Sequence, residues 1–189
     1  MTLAERLAFL RGYLRDHKAV GSVTPSSGAL SRAIAAYAGA SQRRAIAELG
    51  AGTGPITRAL LEAMPANGRL WAFEIAPTFV EHLRRTIDDP RLTVVPLSAS
   101  EAPRVVREAG LPGFDAVVSA IPFSLLGREP TREMLERAAE AMVPGAPFVA
   151  LQYHPTFLPP LLRERFGRIE RRICLWNVPP GQLLRGFAP

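Results

Sequence analysis

A glycine-rich stretch followed by a carboxylate is the part of the sequence best suited to bind a small ligand. Residues 48–57 read Glu-Leu-Gly-Ala-Gly-Thr-Gly-Pro-Ile-Thr, and Glu74 closes the next apolar run, 70–73. Glycines at alternate positions let a chain turn sharply and let its backbone approach a ligand closely. Pro55 suits the first turn of a helix, and an acid about 20 residues further on can bind ribose hydroxyls. The pattern predicts a site for a ribose-containing cofactor.

The spacing of the glycines separates two classes of cofactor. It is G-x-G-x-G and not the G-x-G-x-x-G of dinucleotide-binding loops. No nearby residues indicate a pyrophosphate-binding site. The stretch resembles motif I of class I S-adenosylmethionine (SAM) methyltransferases, E/D-x-G-x-G-x-G. The resemblance implies SAM as cofactor and S-adenosylhomocysteine as product, with these residues in the binding site: Glu48, Gly50, Gly52, Thr53, Gly54, Glu74 and Ile75. Another nucleotide-type cofactor and a glycine-rich turn without a ligand are the alternatives.

Apolar runs and helical patterns alternate from about residue 44 onward. Strands are predicted near 44–49, 69–74, 92–96, 114–119 and 146–152, and helices near 29–38, 55–64, 77–87, 104–109 and 131–142. Such alternation predicts a parallel sheet covered by helices on both faces. Two more strands are predicted near 168–176 and 182–187, and an antiparallel terminal pair resembles the end of the class I methyltransferase sheet. The expected fold class is α/β, a Rossmann-like seven-stranded, mostly parallel sheet with an antiparallel C-terminal strand and N-terminal amphipathic helices.

Composition indicates one domain and is compatible with an anionic partner, although an arginine and alanine bias can equally reflect a GC-rich genome. The chain has 189 residues, 48% of them hydrophobic, and a formal net charge of +6. Lys18 is the one lysine among 23 basic residues, so the rest are arginines, which pair bidentately with phosphate. Cys174 is the single cysteine and the three histidines are scattered, so neither a disulfide nor a metal site is expected.

The first 16 residues have the pattern of an amphipathic helix. Leucines at positions 3, 7, 10 and 14 share one face, with arginines at its edge. This composition suits a helix lying on an anionic membrane, although an ordinary helix packed on the core has the same pattern. We expect residues 1–40 to form a helical membrane-binding or lid region and residues 41–189 to form the methyltransferase domain. Phe157, Leu158, Leu161 and Leu162, followed by arginines, are a second possible docking surface, with core packing as the alternative.

Neither a secretory signal nor a spanning helix is expected. Acidic and basic residues interrupt the first 15 positions. The longest stretch without charged residues, 141–162, contains five prolines and cannot be one continuous transmembrane helix. We therefore expect a cytoplasmic protein, peripheral on the inner face of the cytoplasmic membrane.

A second chemical motif follows the fourth predicted strand. Ser119-Ala120-Ile121-Pro122-Phe123 lies where motif IV of the methyltransferases brings the acceptor to the sulfonium. In rRNA adenine dimethyltransferases this motif has Asn where the chain has Ala120, and a planar exocyclic amine needs that side-chain acceptor. An aliphatic amine needs only to lose a proton, and an apolar site favours its neutral form. The motif favours an aliphatic amine, bound by residues that include Ser119, Ile121, Pro122 and Phe123, and Ser119 is also a candidate cofactor contact.

Three further pairs of residues are candidates for the site. Ser98 and Ala99 follow the third strand, where the family contacts adenine, although a small polar turn is the alternative. Tyr153 and His154 follow the fifth strand and could bind the ammonium or relay its proton, although His154 could be an ordinary loop residue. Ser26 and Ser27 precede the second helix and could bind an anion at its N-terminus or simply cap it.

Segments spread over nearly the whole chain indicate a more specific family. Residues 9–15, 19–27, 119–126 and 152–155 are similar to the bacterial phospholipid N-methyltransferases of the Rhodobacter type, which more often have Gly in place of Ala120. The resemblance implies stepwise methylation of phosphatidylethanolamine towards phosphatidylcholine, with an anionic membrane bound through the N-terminal helix and no nucleic acid partner. The alternatives are an rRNA or tRNA adenine N-methyltransferase and a SAM-fold scaffold protein that has lost catalysis.

Overall fold

Seven strands form one mixed sheet in the computed structural model, which describes residues 28–174 and 181–189. The strands are β1 Ala45–Leu49, β2 Arg69–Phe73, β3 Leu92–Val95, β4 Ala116–Ser119, β5 Pro147–Gln152, β6 Ile169–Cys174 and β7 Gly181–Phe187. Their order is β3-β2-β1-β4-β5-β7-β6; β7 is antiparallel to both of its neighbours and the other pairs are parallel. This confirms the predicted sheet and its antiparallel C-terminal strand.

Helices follow most of the strands and cover both faces of the sheet. They are α1 Gly28–Tyr37, α2 Pro55–Ala63, α3 Pro77–Thr86, α4 Ala102–Glu108, α5 Phe123–Leu126, α6 Arg128–Glu140 and α7 Leu158–Phe166. Prolines occupy the first turn of α2, α3, α4 and α7, where a missing N–H costs nothing. The sequence analysis did not predict α5, which is a single turn, or α7, whose paired prolines resemble a loop.

The core lies on both faces of the sheet. One apolar cluster joins the sheet to α1, α2 and α3, and the other joins it to α4, α6 and α7. Every residue of β1, β4 and β5 is buried, as expected of central strands covered on both sides. The leucines of the predicted second docking surface, Leu158, Leu161 and Leu162, belong to this core, because α7 packs its apolar face onto the sheet.

A charged and aromatic cluster fastens α1 to the C-terminal hairpin. Arg185 on β7 donates to the carbonyl of Tyr37 at 3.0 Å, and its guanidinium lies 4.3 Å from the centre of the Tyr37 ring. The same guanidinium pairs with Glu170 on β6. The cluster therefore holds the last residue of α1 against β6 and β7.

Several sequence-based predictions fall outside the described residues. These are the helix over 1–16, the cofactor candidates Ser26 and Ser27, and positions 175–176 of the sixth predicted strand. Within 28–174 and 181–189, no helix combines the length and apolar character needed to cross a bilayer. The same residues contain no cluster of His, Cys, Asp and Glu that could hold a metal ion.

Candidate active site

The glycine loop after β1 holds its three glycines in left-handed conformations. Gly50, Gly52 and Gly54 have φ angles of 79°, 57° and 86°. A Cβ on Gly50 would lie 2.8 Å from Cγ1 of Ile121, and one on Gly54 would lie 2.8 Å from Cδ2 of Leu83. A Cβ on Gly52 would meet nothing within 4 Å. Gly50 and Gly54 are thus needed for close packing within the protein, whereas Gly52 borders open space that a ligand can fill.

Glu74 closes the loop from the neighbouring strand. Its Oε2 accepts from the N–H of Gly52 at 2.9 Å, and its Oε1 accepts from the N–H of Ala76 at 2.8 Å. A carboxylate oxygen has two lone pairs, so each oxygen can still accept from a ligand hydroxyl. The structure therefore places the predicted ribose-binding acid directly beside the open position at Gly52. Thr53 and Ile75, half-buried, adjoin these two residues in the chain.

Glu48 is a buried carboxyl group beneath the same loop. It is 1% exposed, and its Oε2 accepts from the hydroxyl of Thr57 at 2.6 Å. Its Oε1 has no hydrogen-bond partner among the described residues. Burial raises the pKa of Glu48 to about 7, and the negative charge of Glu74 adds to this rise. Such a group favours a cationic ligand, which would satisfy the free oxygen and stabilise the carboxylate.

Ser98 and Ala99 lie beyond β3 at the same edge of the sheet. Ser98 Oγ accepts from the N–H of Ser100 at 3.3 Å and from its hydroxyl at 2.9 Å. Ser98 therefore caps the short 3₁₀ turn Ala99–Glu101, and Ala99 is buried. The arrangement matches the polar turn that the sequence analysis gave as the alternative, and it leaves the position close to the ends of the central strands.

The loop after β4 is fixed from inside the protein. Ser119 is fully buried; its hydroxyl lies 3.5 Å from the carbonyl of Leu49, and the N–H of Ile121 donates to its Oγ at 3.3 Å. Phe123 is likewise fully buried in the core. Ser119 and Phe123 thus shape the predicted acceptor loop from below, while Ala120 and Pro122 are only partly buried.

Tyr153 and His154 follow β5 and are exposed. Tyr153 is 43% exposed, and a Cβ on Gly181, the first residue of β7, would lie 3.4 Å from Cε1 of its ring. His154 accepts from the N–H of Phe157 through Nδ1 at 3.2 Å. Since Nδ1 is the acceptor, a neutral His154 carries its proton on Nε2. The structure brings both residues to the edge of the sheet that carries the glycine loop.

Comparisons with known proteins agree with this geometry. The family model described as a methyltransferase domain matches residues 46–145. The chain belongs to this methyltransferase family. An ornithine lipid N-methyltransferase of Singulisphaera acidiphila is 27% identical over 173 residues, which cover 91% of this chain and 90% of the relative.

Two further similarities are more partial or more distant. The ribosomal RNA small subunit methyltransferase H of Halorhodospira halophila is 37% identical over 75 residues, 39% of this chain and 23% of the relative. The crystal structure of a Burkholderia thailandensis 1,6-didemethyltoxoflavin-N1-methyltransferase with bound S-adenosylhomocysteine superimposes with a TM-score of 0.70 at 18% identity. It covers all of this chain and 91% of that one. The protein is thus a SAM-dependent methyltransferase of the class I, Rossmann-like fold.

The residues of this methyltransferase fit its cofactor. SAM carries a sulfonium and an ammonium group, and the buried carboxyl of Glu48 has a free oxygen for a cation. The open position at Gly52 lets the cofactor approach the backbone, and Glu74 offers lone pairs for ribose hydroxyls. When bound, SAM supplies an electrophilic methyl group.

Two buried glutamines near the predicted acceptor loop were not singled out from the sequence. Gln152 donates through Nε2 to the carbonyl of Ile121 at 2.8 Å, and Gln182 donates through Nε2 to the carbonyl of His154 at 2.8 Å. The two glutamines pair in register across β5 and β7. Gln152 is the last residue of β5, and Gln182 is the second residue of β7. An uncharged polar residue at the end of a mostly apolar run is the sequence signal that could have indicated them.

Proposed function

We propose that the protein methylates the amine of the phosphatidylethanolamine headgroup, stepwise towards phosphatidylcholine, at the cytoplasmic surface of the membrane. The observation that carries the proposal is the acceptor loop after β4. Ala120 provides no side-chain acceptor, and the nearby hydroxyl of Ser119 is fully buried. A planar adenine amine would find no side-chain partner at this position, whereas an aliphatic amine needs only a neutral nitrogen with its lone pair aligned.

The chemistry requires a deprotonated amine and leaves one proton to remove. The neutral nitrogen forms a bond to the methyl carbon, the carbon–sulfur bond breaks with its electrons on sulfur, and the new ammonium loses a proton. With a pKa of about 10.4, roughly one amine in 10³ is neutral at pH 7. The partly buried loop of Ala120 and Pro122 favours this neutral form by desolvation. The proton released by the new ammonium passes to water, and the exposed His154, which carries its proton on Nε2 while Nδ1 accepts from Phe157, can donate a hydrogen bond there.

The ornithine lipid N-methyltransferase of Singulisphaera acidiphila supports a lipid acceptor. It is named for ornithine lipid N-methylation, and the match extends over nine-tenths of both chains. An ornithine lipid also carries an aliphatic amine, so it is the second candidate substrate of the same site. Membrane contact through the helix predicted over residues 1–16 is part of the proposal, supported by the leucine stripe and the arginines of that region.

One experiment separates these substrates. The protein is incubated with methyl-labelled SAM and vesicles that contain phosphatidylethanolamine or ornithine lipid in an anionic background, or with ribosomal RNA. Label in phosphatidylethanolamine supports the first proposal, and label in ornithine lipid alone supports the second. Label in RNA and in neither lipid would show that the protein is a nucleic acid methyltransferase, the function of the shorter match.

A further inference from the structure

We infer that Gln182 binds the acceptor nitrogen, using its side-chain oxygen to accept a hydrogen bond from an N–H of the substrate amine. The inference rests on the proposed function and deepens it. Gln182 is 4% exposed, and its Oε1 has no hydrogen-bond partner among the described residues. Buried polar atoms are nearly always paired, so an unpaired acceptor next to the end of β5, near the predicted acceptor loop, calls for a donor.

The orientation of the Gln182 amide is set by its neighbour. Nε2 donates to the carbonyl of His154 at 2.8 Å. Rotating the amide by half a turn would place two oxygens against each other, so the donor must face His154 and the acceptor must be Oε1. The free atom is therefore an oxygen, which selects a ligand that offers a hydrogen.

Gln182 lies between an exposed edge strand and the acceptor loop. Ile173, Gln182 and Gln152 are partners across β6, β7 and β5, so their side chains lie on one face of the sheet. Ile173 is 61% exposed, and Gln152 contacts the carbonyl of Ile121 in the loop after β4. Gln182 thus stands between the exposed edge and the loop at which the acceptor is expected.

The number of N–H groups on the substrate nitrogen predicts which methylation steps depend on this contact. A neutral primary amine has two N–H groups, its monomethyl form has one, and its dimethyl form has none. Oε1 can therefore orient the nitrogen in the first and second methylations, but it has nothing to accept in the third. Loss of Oε1 should slow the first two steps and spare the last.

The test uses Gln182→Met, which keeps the size of the side chain and removes its amide. Turnover is measured on vesicles of phosphatidylethanolamine and of its mono- and dimethyl forms, with SAM affinity by calorimetry as a control for the cofactor site. We expect kcat/KM to fall about tenfold on the first two lipids, the rate equivalent of one lost hydrogen bond, and to stay within about twofold on the third.

Gln152→Met is the matched control. Its amide also donates to a loop carbonyl, but no buried amide atom of Gln152 lacks a partner. A purely positioning residue should affect all three steps by the same factor. The rates on the three lipids are compared as ratios within each variant, so partial loss of folded protein cancels. Gln182→Leu provides a second measurement of the same ratios.

An equal loss on all three lipids, or no loss on any, would overturn the role of Gln182. In either case an active wild-type protein leaves the proposed function intact. A wild-type protein that methylates none of these lipids would instead overturn the proposed function, and the inference would fall with it.

Discussion

Glu74, which directly follows β2, accepts a hydrogen bond at 2.9 Å from the backbone N–H of Gly52 in the loop after β1. The acid and the glycine loop are therefore one unit in the structure, although 21 residues separate them in the sequence. The contact stiffens the loop at Gly52, the one of its three glycines whose Cβ position is open. Substitution of either residue should therefore also displace the other and so affect cofactor binding.

Gly52→Asp is expected to abolish SAM binding while the protein stays folded. The new side chain enters open space, so it meets no protein atom but occupies the place of the ligand. The positive φ should lower the free energy of unfolding by about 1–2 kcal/mol. Calorimetry measures the SAM affinity, and thermal unfolding measures the stability.

Gly110→Asp is the matched control for that variant. Gly110 has a φ of 69° and likewise nothing within 4 Å of its Cβ position, but it follows α4 far from the glycine loop. It should lose similar stability and keep full SAM affinity. Equal loss of affinity in both variants would indicate a general folding defect instead of a blocked site.

Glu74→Ala should weaken SAM binding by about 1.5–3 kcal/mol, the usual range for a lost charged hydrogen bond. It also releases the N–H groups of Gly52 and Ala76 from their acceptor, so the loop should become more open to hydrogen exchange. Exchange measured at the Gly52 amide in the absence of SAM checks this second effect. Unchanged affinity would remove Glu74 from the cofactor site.

Glu48 should make the stability of the cofactor-free protein depend on pH. Its pKa is raised from 4.5 to about 7, so the folded state holds a proton that the unfolded state loses. The free energy of unfolding should therefore fall as pH rises from about 4.5 to about 7, by roughly 3 kcal/mol, and level off above. Glu48→Gln should abolish this slope, which chemical denaturation at a series of pH values measures.

The same residue predicts a proton released on cofactor binding. A cation beside Glu48 favours the carboxylate, so at pH 6 SAM should displace the proton that burial retains. Calorimetry in two buffers with different ionisation enthalpies detects the release. No difference between the buffers would place the cofactor cation away from Glu48.

Tyr153→Phe and His154→Ala should lower turnover more than they lower SAM affinity, because both residues lie on the acceptor side. His154→Asn is the sharper variant, since an amide oxygen can still accept from the N–H of Phe157. Turnover of the wild-type protein should rise with pH as the ammonium of the substrate deprotonates. Wild-type rates in all three variants would exclude both residues from the mechanism.

Deleting residues 1–18 should abolish binding to anionic vesicles and leave a folded core. The deletion removes the leucine stripe and its arginines. Salt should weaken binding of the full chain, because ions screen the attraction of arginine to the lipid surface. Co-sedimentation compares the two forms, and equal pelleting would place the membrane contact elsewhere.

The sheet and the cofactor loop could be predicted because local patterns determine them. Continuous apolar runs identify β1, β4 and β5, and three alternating glycines permit the left-handed conformations that a tight turn requires. The helix α7 was missed because its paired prolines resemble a loop, while its leucines were considered for a docking surface. Their burial depends on β6 and β7, which a local pattern does not reveal.

The acceptor side was harder to predict for a related reason. Ser119 and Phe123 belong to a motif whose position is clear, but the sequence does not show that both side chains are fully buried. The position of Gln182 relative to the site depends on its pairing with a residue on β5 that lies 30 positions earlier in the chain. Sequence spacing locates a site on one segment well, and a site shared by antiparallel strands poorly.

The contact between Arg185 and the Tyr37 carbonyl joins residues that are 148 positions apart. The chain emerges from the ribosome N-terminus first, so α1 is exposed before β7 has been synthesised. The end of α1 at Tyr37 therefore lacks this contact until the final strand of the sheet is synthesised. Interruption of translation before β7 would leave this helix a target for chaperones and proteases.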